Sequence, residues 1–126
     1  KYDNIFIFTH EVIWYDLHRT PQIIPNSIDG KSETLDFYTK TLSVLSRRTT
    51  PVYLFAGDVG SRAIGSELTI HQYKNVRMLA SGMGGGDWDN IIDIHVVNGA
   101  AKVDIHYLKD QPPFTIDIKN YVPVAP

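Results

Sequence analysis

The chain has 126 residues, 43% of them hydrophobic, and a formal net charge of −2. These values are typical of one globular domain or part of one, and they exclude a disordered composition. The near-neutral charge gives no sign of nucleic-acid or anionic-membrane binding, and no apolar stretch approaches the ~18 residues of a membrane span. The sequence contains no cysteine, which excludes disulfides and thiolate ligands and leaves the compartment undetermined.

The first predicted strand follows almost directly after Lys1. A core strand so near a terminus is unusual, because chain ends are usually loosely held. We therefore expect the chain to be a processed product or a fragment of a longer protein.

This first strand, residues 3–9, contains four consecutive apolar residues, Ile5 to Phe8. A continuous apolar run this short predicts a strand that is buried on both faces. His10 follows the strand, at the carboxyl edge of the sheet where open α/β folds bind ligands. His10 is therefore a candidate ligand-binding residue, and a buried histidine that is hydrogen-bonded to a neighbour is the alternative.

Residues 10–31 are predicted to form a long loop, because they are interrupted by prolines and Gly30. Loops of this length without regular structure are uncommon and often functional. This loop carries Trp14, Tyr15, Asp16, His18 and Arg19.

An amphipathic helix is predicted next, with Ser32 as its N-cap and Arg47-Arg48 at its C-terminus. A second apolar strand, residues 51–56, follows, and the order strand–helix–strand predicts two parallel strands. The apolar positions of the helix recur at spacings of three and four: Leu35, Tyr38, Leu42 and Leu45.

The second strand runs into Gly57-Asp58-Val59-Gly60. Parallel strands bring their carboxyl ends to one edge of a sheet, so Asp58 and His10 are expected to approach each other there. The flanking glycines allow the backbone to turn sharply beside a ligand. The alternative is a turn aspartate that bonds to its own backbone.

The rest of the chain is predicted to be mainly β-structure. A glycine-rich loop occupies residues 82–86, and Asn98-Gly99 between two alternating runs predicts a β-hairpin. The predicted strands are residues 68–73, 75–81, 91–97, 101–107 and 114–119.

Three histidines, His71, His95 and His106, lie in alternating strands. His95 and His106 are interpreted as solvent-facing. They are expected to lie near each other across the hairpin, where metal binding is a further alternative.

The ordered set of segments resembles the C-terminal half of calcineurin-like metallophosphoesterases, the group that includes purple acid phosphatases. Residues 5–11 are similar to the family's apolar strand that ends in a metal-binding histidine. Residues 51–60 stand where the family has a strand ending in Gly-His-x-His, and residues 75–86 are similar to a strand that ends in a small, glycine-rich turn. The resemblance covers most of residues 3–108 and implies the C-terminal portion of a layered α/β sandwich, with a mixed sheet and a closing β-hairpin.

The sequence departs from the family in two respects. Asp58 stands where the first histidine of Gly-His-x-His binds a metal, a role that a carboxylate can fill with a bias toward harder ions. Gly60 stands in place of the second histidine and offers no side-chain ligand. The family's earlier motifs, Asp-x-His, Gly-Asp-x-x-Asp and Gly-Asn-His, supply most of its metal ligands and do not precede this segment in the sequence.

The resemblance implies that residues 1–121 belong to a phosphoesterase-like domain and that residues 122–126 form a tail or linker. The parent protein would hydrolyse a phosphate ester with a hydroxide bound to divalent ions (Mn, Fe, Zn or Mg). The chain alone is expected to be inactive, and its implied partners are a phosphate ester or small ligand and the remainder of its own domain. The implied metal ligands are His10 and Asp58, and the implied substrate-binding residues are Glu11, Trp14 and His18.

Two alternatives are open at this point. The first is a non-catalytic, degenerate relative that binds a ligand or partner, for example in cell-envelope or polysaccharide processes. The second is an unrelated small α/β domain, in which self-association as a homo-oligomer would cover an exposed sheet.

Overall fold

A computed structural model describes residues 2–16, 19–20, 23–27, 36–60, 68–82, 89–109 and 114–115. A π-helical turn, Phe37–Thr41, is continued by a short α-helix, α1 (Leu42–Leu45), and we call the two together the helical segment. The strands are β1 (Ile5–Thr9), β2 (Val52–Ala56), β3 (Leu68–Tyr73), β4 (Val76–Ser81), β5 (Asn90–Val97), β6 (Ala100–Tyr107) and β7 (Phe114–Thr115).

The strands of this part of the chain form two sheets. The first has the order β1-β2-β4-β3, in which β1, β2 and β4 are parallel and β3 is antiparallel to β4. The second is antiparallel, with the order β5-β6-β7. The predicted mixed α/β class and the parallel pairing of the first two strands are therefore confirmed.

The helical segment occupies the region where an amphipathic helix was predicted, although the proposed N-cap Ser32 lies outside the described residues. Its end is fixed by Asn75, whose amide nitrogen donates to the carbonyls of Leu45 (3.2 Å) and Thr50 (2.8 Å). Carbonyls in the last turn of a helix lack regular helical partners, and the Leu45 carbonyl accepts here from Asn75 as well as from the Arg48 N–H at 3.3 Å. The Asn75 contact also joins the end of the helical segment to the amino edge of the sheet.

One face of the four-stranded sheet is aliphatic and packs against the helical segment and the loop after β1. Each large apolar side chain that is buried there stabilises the fold by about 1.5–3 kcal/mol. The sheet residues of this helix-side cluster are Ile5, Ile7, Val52, Leu54, Tyr73, Val76, Met78 and Ala80, together with Ala56, and residues packed against them include Val12, Trp14, Ile23, Phe37, Leu42 and Val59.

The opposite face of the same sheet carries aromatic rings and packs against the β5–β6 hairpin. The rings of Phe6 and Tyr53 stack with centroids 5.3 Å apart, and those of Phe8 and Phe55 with centroids 5.2 Å apart. Such stacked pairs add to the stabilisation that area burial provides. The hairpin-side cluster contains Phe6, Tyr53, Phe55, Leu68, Ile70 and Leu79 from the sheet, and Ile92, Ile94, Val103 and Ile105 from the hairpin.

Both of the first two apolar strands were predicted to be buried on both faces, and β1 is less buried than predicted. All five residues of β2 are buried, as expected for a strand covered on both faces. The prediction was wrong for β1, whose residues are partly buried and whose Phe8 is 68% exposed. The reason is topological, because β1 is the edge strand of its sheet and has β2 as its neighbour on one side.

The hairpin forms as predicted, with Val97 opposite Ala100. Asn98 and Gly99 have φ values of 51° and 77°, and positive φ at both central residues is what a tight type I′ turn requires. The edge strand predicted at residues 114–119 is present at Phe114–Thr115, and its remaining positions lie outside the described residues, as does the predicted tail at 122–126.

The same register shows that His95 and His106 are not neighbours, contrary to the prediction. His95 lies opposite Lys102, and His106 lies opposite Ile91 near the other end of the hairpin. Each histidine instead approaches a carboxylate of the other strand: His95–Asp104 at 3.8 Å and His106–Asp93 at 3.2 Å.

Candidate functional site

The carboxyl ends of the three parallel strands meet at one edge of the sheet. The backbone N–H of Gly57 donates to the carbonyl of His10 at 3.1 Å, which joins the end of β1 to the end of β2. Gly57 also lies beside the carbonyl of Ser81, where β4 ends. The predicted convergence of the segments that carry His10 and Asp58 is therefore confirmed for the backbone.

The side chain of Asp58 is buried and hydrogen-bonded to the loop that contains Ser27. It is 9% exposed, and its Oδ1 atom accepts hydrogen bonds from the backbone N–H (3.2 Å) and the hydroxyl (2.9 Å) of Ser27. Its backbone carbonyl accepts from Asn26 N–H at 2.6 Å. Asp58 thus holds residues 26–27 against the end of β2, and it does so with a φ of 60°.

The other proposed site residues are divided between surface and core. His10 and Glu11 are exposed at the end of β1. Trp14 is 0% exposed in the helix-side cluster, so its ring offers no surface to a ligand in this conformation. Its backbone carbonyl accepts a hydrogen bond from the Tyr38 hydroxyl at 2.8 Å. His18 lies outside the described residues, so its predicted role is untested.

The two predicted metal ligands, His10 and Asp58, differ in how accessible their donor atoms are to an ion. His10 supplies an exposed imidazole, whereas the Asp58 carboxylate already accepts two bonds from Ser27. Within the described ranges, no group of three or more histidine, aspartate or glutamate side chains is arranged to hold a metal ion. The residues in view therefore do not assemble a metal centre by themselves.

Two titratable side chains next to the helix-side cluster have altered proton affinities. Burial raises the pKa of Tyr38 to about 12, and the Asp16 carboxylate adds to this rise. Burial also lowers the pKa of His71, which is 7% exposed. Both side chains are therefore neutral at pH 7.

One concave region was not predicted from the sequence. It lies beside the helical segment at the amino edge of the sheet, since Tyr73 ends β3 opposite Val76, the first residue of β4. Its lining comes from three separate stretches of the chain, so no local motif could have revealed it. We call it the basic cleft; it has a volume of about 290 Å³ and is lined by Arg19, Tyr38, Leu42, Ser43, Ser46, Arg47, Tyr73 and Lys74.

Comparison with known proteins adds no assignment. No protein-family model, curated protein or solved structure matches the chain. No helix in the described part of the chain has the length and apolar character needed to cross a membrane.

Proposed function

We propose that this chain is part of a metal-dependent phosphoesterase domain, to which it contributes the carboxyl edge of the sheet. The observation that carries the proposal is the meeting of three parallel strand ends, at which His10, the Gly57-Asp58 turn and the end of β4 lie side by side. Ligand sites in open α/β sheets are found at this edge.

In this proposal His10 acts as a metal ligand through its exposed imidazole. Asp58 keeps the turn after β2 in place and is a candidate second ligand, which would require the carboxylate to serve an ion as well as Ser27. Bound divalent ions would supply a hydroxide nucleophile and charge stabilisation at phosphorus. The further ligands of such a site would come from residues beyond those in view.

A non-catalytic binding domain is the second candidate, and two observations favour it. Gly60 stands where a second metal-binding histidine would be needed, and it has a φ of 93°, which is unfavourable for any other residue type. In addition, the Oδ1 atom of Asp58 already accepts two hydrogen bonds from Ser27. In this alternative the strand edge would bind a ligand without hydrolysing it.

The two candidates differ in metal content and in hydrolysis. We expect the 126-residue chain to show no hydrolysis of p-nitrophenyl phosphate with Mn²⁺, Zn²⁺ or Mg²⁺. We expect a longer natural protein that contains it to hold divalent metal by elemental analysis and to hydrolyse the ester. His10→Ala should abolish both properties in that protein.

The matched control is His95→Ala, which removes an exposed histidine from the hairpin. Equal losses in both variants would contradict a specific role for His10. A metal-free, inactive natural protein would overturn the phosphoesterase proposal in favour of the binding domain. Metal-dependent hydrolysis by the 126-residue chain itself would show that the expected inactivity is wrong.

A further inference from the structure

The basic cleft has a clear excess of positive charge. Three of its lining side chains are cationic, and no carboxylate is among the lining residues. Arg19 is balanced in part by the buried Asp16, whose carboxylate lies 3.6 Å from the guanidinium. Arg47 and Lys74 have no ion-pair partner within the part of the chain that the structure describes. The cleft therefore has two cations whose charge is left for a ligand.

Two tyrosine rings hold cations at the wall of the cleft. The Arg19 guanidinium carbon lies 4.8 Å from the centre of the Tyr38 ring, and the Lys74 ammonium lies 5.2 Å from that of Tyr73. Contacts of this kind orient a cation and leave N–H groups available to an anion. The Tyr38 hydroxyl donates to the carbonyl of Trp14, so the ring stays in place as a neutral wall.

The backbone holds Lys74 in an unfavourable conformation. Its φ is 52°, in the left-handed region where glycine and asparagine are favoured and other residues are disfavoured by roughly 1–2 kcal/mol. A lysine in a tight turn between β3 and β4 is thus a costly choice for stability alone. Such backbone strain is frequent where a side chain serves a ligand.

The neutral lining supplies further donors and an apolar surface. The Ser46 hydroxyl donates one long bond of 3.5 Å to the carbonyl of Ser43, so it can turn toward a ligand with little loss. Leu42 and the tyrosine rings would contact a carbon skeleton. The cleft volume of about 290 Å³ is at the lower end of the range of small-molecule sites, about 300 to 1,000 Å³, so only a small ligand would fit.

We propose that the basic cleft binds a small phosphate monoester. Arg47, Lys74 and the Ser46 hydroxyl would donate to the phosphate oxygens, the chemistry by which proteins bind this group. Tyr73 and Leu42 would contact the organic portion. This site lies at the amino edge of the sheet, opposite to the strand ends that carry His10, and it does not depend on a metal ion.

The test is calorimetric titration of the full chain with phenyl phosphate and with inorganic phosphate, in the presence of EDTA so that metal-dependent hydrolysis cannot interfere. We expect saturable binding of one phenyl phosphate per chain, weaker binding of inorganic phosphate, and a loss of affinity of about tenfold in Arg47→Gln, the size expected for one charged hydrogen bond. Arg48→Gln is the matched control, since it removes an equal charge from a neighbouring exposed residue that does not line the cleft.

A second variant separates binding from folding. Lys74→Asn should weaken phenyl phosphate binding and leave the thermal stability equal or higher, because asparagine tolerates positive φ. Equal loss in Arg47→Gln and Arg48→Gln would overturn the proposal, as would the absence of saturable binding by a folded wild-type chain. Equal affinity for phenyl phosphate and inorganic phosphate would overturn the assignment to a monoester.

Vesicles that contain phosphatidic acid distinguish a soluble ligand from a lipid headgroup. Co-sedimentation with these vesicles that is lost in Arg47→Gln, combined with no binding of soluble phenyl phosphate, would replace the proposed ligand. We expect no co-sedimentation that depends on Arg47.

Discussion

Gly82 packs directly against the backbone of Val59, and a Cβ atom added at Gly82 would lie 1.8 Å from the Val59 carbonyl oxygen. The end of β4 and the turn after β2 can approach this closely because residue 82 has no side chain. The contact holds together the strand edge that carries His10 and Asp58.

Gly82→Ala should therefore separate these two segments and lower the free energy of unfolding. We expect a loss of at least about 1–3 kcal/mol, the usual cost of forcing atoms into a packed region. Gly57→Ala is the control, since its Cβ would meet its nearest neighbours at 3.6 and 3.9 Å, which are ordinary contacts. Urea denaturation of both variants measures the difference, and similar midpoints would disprove the steric explanation.

Asp58 gives a prediction about the same edge. Asp58→Ala removes the acceptor of two hydrogen bonds from Ser27 and leaves alanine at a φ of 60°. A loss of about 2–3 kcal/mol is expected, because bonds to a charged acceptor contribute this much. Asp58→Asn keeps an acceptor oxygen and tolerates positive φ, so it should lose much less stability in the same denaturation experiment. If Asn and Ala variants were equally unstable, the carboxylate charge would matter more than the turn geometry.

His71 should make stability depend on pH below neutrality. Burial lowers its pKa in the folded chain, so the unfolded chain binds the proton more tightly. Its stabilising contribution is complete above a pH of about 6.5 and is lost as the pH falls through the lowered folded value. Denaturation at pH 7.5 and pH 5 should show a smaller difference in His71→Gln than in the wild type. His95→Gln, at an exposed position, should keep the wild-type difference.

Tyr38 should ionise only at strongly alkaline pH. The chain has 7 tyrosines, and the pKa of Tyr38 is raised to about 12 by burial and by Asp16. Because the folded pKa lies above the unfolded value of about 10, stability should be unaffected below that pH and should fall as the pH rises from about 10 toward 12. Absorbance at 295 nm during alkaline titration should lose a component near pH 12 in Tyr38→Phe, whereas Tyr2→Phe, at an 80% exposed residue, should keep it.

Much of the fold could be predicted because strands and turns leave local signals. Continuous apolar runs predicted β1 and β2. Alternating polar and apolar residues predicted the hairpin strands, and Asn98-Gly99 predicted the turn between them. Sheet order leaves no such signal. For this reason the sequence could not show that β1 lies at an edge and that Phe8 is mostly exposed. The π-helical turn Phe37–Thr41 was likewise hidden, since its apolar spacing resembles that of an α-helix.

The candidate site was predictable in its backbone and less so in its side chains. Strand polarity placed His10 and Asp58 at one edge, but the engagement of Asp58 with Ser27 depends on how a loop folds back. The same folding back buries Trp14, which had been interpreted as a pocket residue. Burial of a loop residue is a tertiary property, and periodicity does not report it.

The central sheet has one aliphatic and one aromatic face, and this difference affects the register of β2 with its neighbouring strands. Every residue of β2 is buried, so the alternation of polar and apolar positions that usually fixes strand register is missing. A shift by one residue would move Tyr53 and Phe55 to the side now filled by Val52, Leu54 and Ala56. Two rings would then have to enter a space shaped for smaller branched side chains. In this strand, alignment is therefore specified by side-chain volume. Exchanging the two residues, Leu54→Phe combined with Phe55→Leu, would be expected to make the alignment ambiguous without changing the composition of the strand.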